Sequence, residues 1–242
     1  MKDNISLKMG MVFASAVVGI SLIISALVGA FAFYNVRAMD NVLSVTGSAR
    51  KSIVADRAKW SVTISRPSNA DSLQAGYAQM NRDLAVVKSF FGKNSFAESA
   101  LKISPVFMDE VYENYPSTPK KYTLRQTIEV NSDDVTKVDM MSKNIQDVIS
   151  QGVILSAQSP EYSYSDLASL RVSLLSDALK DAEARAESIA QVTGDHAGKL
   201  KSAASGVVQV LPEGSTEVSD YGAYDMSSIN KEVMVTVRAS FG

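Results

Sequence analysis

The sequence predicts an α+β domain on a β-α-β-β-α-β core, the ferredoxin-like arrangement, with an added long helix and C-terminal strands. One N-terminal transmembrane helix precedes it. Three observations predict this. An apolar, charge-free run opens the chain. Behind it, segments with a hydrophobic period of two alternate with segments of period 3.6. The helical segments stop at glycines: Gly92, Gly152 and Gly194.

No residue from Met9 to Val36 is charged. Residues 9–34 would make about 39 Å of helix at 1.5 Å per residue, and a bilayer core of about 30 Å needs about 20 residues. The run has no polar face to offer water. Lys2 and Lys8 precede it, so an uncleaved signal anchor leaves 1–8 in the cytoplasm and 9–34 in the membrane. Residues 35–41 are then a linker and 42–242 an extracytoplasmic domain, periplasmic in a Gram-negative bacterium. Cleavage at Ala30-Phe31-Ala32 is the competing outcome, although the apolar core exceeds the roughly 7–15 residues of a cleavable signal. Ser15/Gly19, Ser21/Ser25, Ser25/Gly29 and Ala26/Ala30 are spaced for close helix approach, but they do not form one stripe.

The elements follow in order. "VLSVTG" is a short strand, with a hairpin-like connection to "AKWSVTISR". There Trp60, Val62 and Ile64 alternate with Lys59, Ser61, Thr63 and Ser65. Leu73, Tyr77, Met80, Leu84, Val87 and Phe91 form a helical stripe, capped by Ser68 or Asn69 and ended by a left-handed Gly92. A strand over about 101–111 precedes "YTLRQTIEV", which turns Tyr122, Leu124, Gln126, Ile128 and Val130 to one face. Ser132 then caps a helix buried through Val138, Met141, Ile145 and Val148, and a strand covers about 153–164. The long helix spans Asp166 to Thr193. Strands near 199–211 and over "KEVMVTVRASF" close the chain, the latter facing inward through Val233, Val235, Val237, Ala239 and Phe241. The intervening 212–230 has no period and reads as a long mobile loop.

Composition excludes several function classes. With 24 basic and 26 acidic residues, no nucleic-acid partner is expected. The chain has no cysteine, so disulfides and thiolate chemistry are absent. The one histidine, His196, leaves little for a metal site or a Ser–His dyad, and it reads as a neutral loop residue. Neither a nucleophile elbow nor a phosphate loop occurs. No cofactor, metal or catalytic residue is assigned.

Two stretches remain as candidates. In "DALKDAEARAESIAQVTG", Asp177/Asp181 and Glu183/Glu187 are carboxylates four apart. On a helix, Leu175, Ala178, Leu179, Ala182, Ala186, Ile189 and Ala190 share one arc, and the charged residues fill the other. The carboxylates therefore form a solvated face, with Asp181–Arg185 paired, and Ala178, Ala182 and Ala186 bring the helix close to its partner layer. The stripe breaks near Leu170 and Arg171. In "DEVYENYPSTPKKY", the tyrosines Tyr112, Tyr115 and Tyr122 lie about Pro116 and Pro119. They make either a partner-binding edge or an ordinary hairpin tip.

The chain resembles the SIMPL-domain family of exported bacterial proteins over about 41–242. That family's V-x-G-x-G strand and Pro-Asp-x-A turn correspond to Val45-Thr46-Gly47-Ser48-Ala49 and Ala55-Asp56-Arg57-Ala58, with the second glycine and the proline replaced. Lys121-Tyr122-Thr123-Leu124 is similar to the start of its middle hairpin strand. The fullest match is the long helix, through Ala178, Asp181, Ala182, Arg185, Ala186, Ile189, Ala190 and Gly194, continuing to Gly198-Lys199-Leu200. The resemblance implies an exported α+β domain that assembles into rings or larger homo-oligomers and has no established enzymatic activity. It also implies an envelope or oxidative-stress association and no catalytic residues to carry over. The expected function is thus a membrane-tethered, self-assembling, non-enzymatic domain with a scaffold or stress-related role. The alternative is a ligand- or peptide-binding module using the loop 109–122.

Overall fold

The computed structural model describes residues 3–38, 42–112, 119–217 and 219–242, with side chains of the first helix described over 15–34. The fold is mixed α+β. Its elements are α1 (Asp3–Ala38), β1 (Leu43–Val54), β2 (Arg57–Asn69), α2 (Leu73–Lys93), β3 (Leu101–Ile103), β4 (Phe107–Glu110), β5 (Lys121–Ser132), α3 (Val135–Lys143) and α4 (Gln146–Ile149). They continue as β6 (Leu155–Ala157), β7 (Glu161–Ser163), α5 (Leu167–Val192), β8 (Leu200–Pro212), β9 (Ala223–Tyr224) and β10 (Asn230–Phe241).

The chain divides into two compact units: Met1–Gly47 with Leu179–Ala204 and Val237–Gly242, and Ser48–Ala178 with Ser205–Thr236. The second unit contains a six-stranded sheet of order β3-β5-β2-β6, with β4 also on β5 and β7 also on β2. All of its pairs are antiparallel. β2 and β5 pair from Ala58↔Ser132 to Asn69↔Lys121. The inward side chains of the alternating strands, Trp60, Val62, Ile64, Leu124, Ile128 and Val130, are buried against Met80, Val87 and Phe91 of α2 and Val138 and Met141 of α3. The Trp60 and Phe91 rings lie 5.7 Å apart, and the Trp60 indole donates to the Gln158 carbonyl at 2.8 Å. Arg66 reaches the buried Asp83 through a two-pronged bridge of 2.5 and 2.9 Å and also donates to the Gly152 carbonyl. This ties β2 to α2 and to the turn after α4.

The other sheet has the order β1-β10-β8-β9. Within the second unit, Ile53, Val210, Val233 and Val235 pack with Leu170 and Leu174 of α5. Within the first, Val45, Ala239 and Phe241 pack with Ala182, Ala186 and Ala190.

Several sequence expectations change. β1 is twelve residues long and belongs to the sheet of β10, so it makes no hairpin with β2. Only Ala55 and Asp56 intervene, and their amides bond Ile229 and Ser163. The expected strands at 101–111 and 153–164 are each two short strands. They break at Pro105 and Pro160, which lack the amide a ladder needs. A short turn at Ala70–Ser72 leads into α2 and starts at Asn69, one of the two expected caps, whose amide bonds the Ser72 hydroxyl at 3.1 Å; Ser95, not Gly92, takes the positive φ after α2. Asp134 caps α3, accepting from the Lys137 amide at 3.0 Å, while Ser132 accepts from Asp134. Tyr77 and Ile189 are substantially exposed, and Phe90 is buried instead. The stripe of α5 does not break at Leu170: Leu170, Leu174, Ala178, Ala182, Ala186 and Ala190 are all buried at steps of four. The segment 212–230 is built rather than irregular. β9 pairs parallel to β8 through Gln209↔Ala223 and Val210↔Tyr224.

Candidate functional site

Ser15–Tyr34 of α1 is long and apolar enough to cross a membrane, and none of it is buried by the rest of the chain. Leu22, Leu27, Phe31 and Phe33 stand in the open. The Ser21 hydroxyl donates to the Val18 carbonyl, so this polar group is satisfied inside the helix, as a lipid environment requires. A continuous exposed apolar surface of this kind marks a membrane or protein contact.

The loop candidates separate. Tyr112 is almost fully exposed and follows Val111, whose amide bonds the Lys121 carbonyl at 2.9 Å. Tyr122 is half-buried in β5, opposite Glu110. Tyr115 lies outside the described residues. Asp109–Arg125 and Glu110–Lys120 ion pairs line the base of the loop. The structure thus gives one exposed ring and one ring of the ladder.

The most elaborate polar cluster is one that the sequence pattern did not single out. Lys231, the second residue of β10, is fully buried. Its ammonium donates to the Asp225 carbonyl at 2.6 Å and to the Asp225 carboxylate at 3.1 Å. That carboxylate also accepts from the amides and hydroxyls of Ser227 and Ser228. Burial pushes the Asp225 carboxyl up, but the hydroxyl, amide and ammonium donors outweigh it and hold it far below the ordinary range. The backbone around it bonds to β7, to β8 and to the residue after β1. Asp225 donates to Val210, Tyr162 donates to Met226, and Ala55 donates to Ile229. The visible signal was D-x-S-S ahead of a lysine, a local turn pattern.

Asp56 is a second such anchor. Its carboxylate accepts from the Ser165 amide at 2.8 Å and hydroxyl at 2.5 Å, just before α5. Burial raises its pKa, and the Ser165 bonds reverse this, leaving it below the ordinary value.

On α5, Arg185 bonds Asp181 at 2.8 Å. Glu187 does more than solvate a face. It binds His196 Nδ1 at 2.9 Å and the Ala197 amide at 3.1 Å. The His196 bond, then the Ala197 and Gln191 bonds, lower Glu187 to about 2, and Glu187 in turn raises His196. His196 is therefore the latch of the turn after α5. Among the described residues, no three of His, Asp and Glu come together in a way that could hold a metal ion.

Two grooves remain. One, of about 610 Å³, lies in the first unit beside β1 and α5 and is lined by Val45, Thr46, Ala184, Ser188 and Ile189. The other, of about 680 Å³, lies in the second unit along β8, with Arg171, Gly206, Tyr221 and Thr236 in its walls.

The family model of SIMPL, described as a protein of unknown function (DUF541), matches residues 43–241. No curated protein gives a significant match.

Proposed function

Because the chain belongs to the SIMPL family over residues 43–241, we propose that it is a non-enzymatic extracytoplasmic domain that self-assembles while tethered to a membrane by α1. The helix is an uncleaved anchor of the bacterial inner membrane, with Lys2 and Lys8 inside and residues 42–242 in the periplasm. The domain serves the envelope as a scaffold, in a stress-related role. Its core is the ferredoxin-like βαββαβ arrangement, supported by the antiparallel order β3-β5-β2-β6 and by α2 and α3 as the two crossovers. A structural duty for each displaced carboxylate supports a non-enzymatic role: Asp56 holds Ser165, Glu129 pairs with Lys59 and Lys102, Asp139 holds Tyr162 and Lys143, Glu187 holds the turn at His196, and Asp225 holds Lys231.

One observation carries the assembly. The four-stranded sheet ends in β1, a twelve-residue strand with no neighbour on its outer side among the described residues, and the apolar groove with half-exposed Ile189 adjoins it. A long open edge is a template for another strand. Ala184 and Ser188 are small enough to admit a second copy closely. Light scattering after mild detergent extraction should give a particle of several chains, and Ile189→Glu should reduce it to one. A wild-type particle of one chain, or an Ile189→Glu particle of unchanged mass, overturns the assembly.

The exposure of Tyr112 favours a second reading, a peptide- or ligand-binding module using 109–122. A photoreactive group at position 112 should then cross-link to a partner in intact cells. Cross-links confined to this chain would assign the loop to assembly.

A further inference from the structure

We infer that the outer edge of β8 around Gly206 is a docking site for an extended peptide of another protein, which adds as a strand and places a carboxylate at Arg171. This goes beyond self-assembly and uses a different surface.

The backbone sets the direction. The Val210 carbonyl accepts from the Asp225 amide, and the Val208 carbonyl lies 3.1 Å from where a Gly222 β-carbon would sit. Both carbonyls point to the β9 side. The two-residue period of a strand then puts the amide and carbonyl of Gly206 on that side too. β9 pairs only with Gln209 and Val210, so no described strand faces Gly206 there. The Ser205 hydroxyl donates to the Gly206 carbonyl at 2.9 Å, a local substitute for a ladder partner.

The surface beside this edge suits a peptide. Gly206 has no side chain, and a β-carbon there would run into the Thr236 hydroxyl. A strand glycine that fits so tightly also leaves its backbone open to approach. The stretch "AASGVVQV", 203–210, contains neither charge nor proline, the usual guards of an open edge. The groove of about 680 Å³ along it offers the fully exposed Tyr221 ring and Met234 for an apolar side chain. Arg171 lines the same groove and makes no hydrogen bond or ion pair with a described residue. Asp220, also in the wall, disfavours a polyacid and fits a strand with a single acid. Main-chain bonds supply affinity and alternate side chains supply selectivity in this mode of recognition. A second copy is the competing occupant, and the particle mass of the Arg171→Glu variant tells the two apart.

The test uses the full chain in mild detergent and a fluorescent seven-residue peptide alternating valine and threonine, with one glutamate. Saturable binding by anisotropy is expected. Arg171→Glu should weaken it at least tenfold, and a lysine in place of the peptide's glutamate should restore it, which shows that the variant is folded. Backbone N-methylation of the peptide on its pairing side should abolish binding. Three results overturn the proposal: no saturable binding, equal binding of the N-methylated peptide, or an Arg171→Glu protein that keeps peptide binding while its particle mass falls. The last would assign the edge to a second copy.

Discussion

The two units bury different things. Around β2 the core is large and aromatic: Trp60, Phe91, Met80 and Ile64 interlock across the sheet and α2. Around α5 in the other unit it is mostly alanine: Ala182, Ala186, Ala190, Ala197 and Ala239, with Val45 and Phe241. Large side chains hold a helix off its sheet and fill the gap, whereas methyl groups let the helix descend until little gap remains. The first core is therefore exposed to loss of volume and the second to gain. The charges divide in the same way. One unit buries an ammonium, Lys231, and a carboxylate, Asp83. The other keeps Asp181–Arg185 and Glu187–His196 at its surface.

Trp60→Ala should have the largest effect, about 3–5 kcal/mol, the usual loss when a buried aromatic leaves a cavity. Urea unfolding of the detergent-solubilised chain measures it, and a loss under about 1 kcal/mol would break the contrast between the cores. Asp225→Asn should come close to it. Removing one partner of a buried pair costs about 3–5 kcal/mol because the other charge stays uncompensated. Lys231→Met with Asp225→Asn should be less damaging than the sum of the two singles, since the double variant buries no lone charge.

Ala186→Leu tests the alanine core. Overpacking at a fully buried methyl costs about 1–3 kcal/mol, while Glu183→Ala on the exposed face should stay within about 0.5 kcal/mol. Equal effects of the two would mean that the helix is not closely seated.

These contrasts also show what the sequence could reveal. Trp60, Val62 and Ile64 and the β10 valines were legible because a strict two-residue period has one structural meaning. The Ala178–Ala190 face was legible for the same reason at period 3.6. Where the reading failed, distant partners decide. Whether β1 pairs with β2 or with β10 depends on strand choice, which no local pattern encodes. Asp225 and Lys231 sit six apart in a Ser-rich segment, and only the fold makes that lysine a buried one. Of the tyrosines, sequence could mark the loop but not separate exposed Tyr112 from half-buried Tyr122. Near Arg171 the buried face runs on through Leu170 and Leu174, which pack in a different cluster from the alanines.

The smallest expected effect sharpens the contrast in charge. Glu187 is held at about 2 from an ordinary 4.5, so its contribution is complete above pH 4.5 and fades as pH falls towards 2. His196 is raised above 6.5, so its contribution is complete below pH 6.5 and fades as pH rises through the raised value. Both are present together between pH 4.5 and 6.5. The groups are exposed, so solvent and salt screen them. The stability difference between wild type and His196→Ala should therefore be widest in that window. It should narrow on both sides and flatten in about 1 M salt, where the screening length falls to about 3 Å. Unfolding midpoints from about pH 3 to about pH 8 test this. A difference independent of pH and salt would mean that His196 acts through packing, leaving the Ala197 amide as the donor that ties Glu187 to the turn after α5.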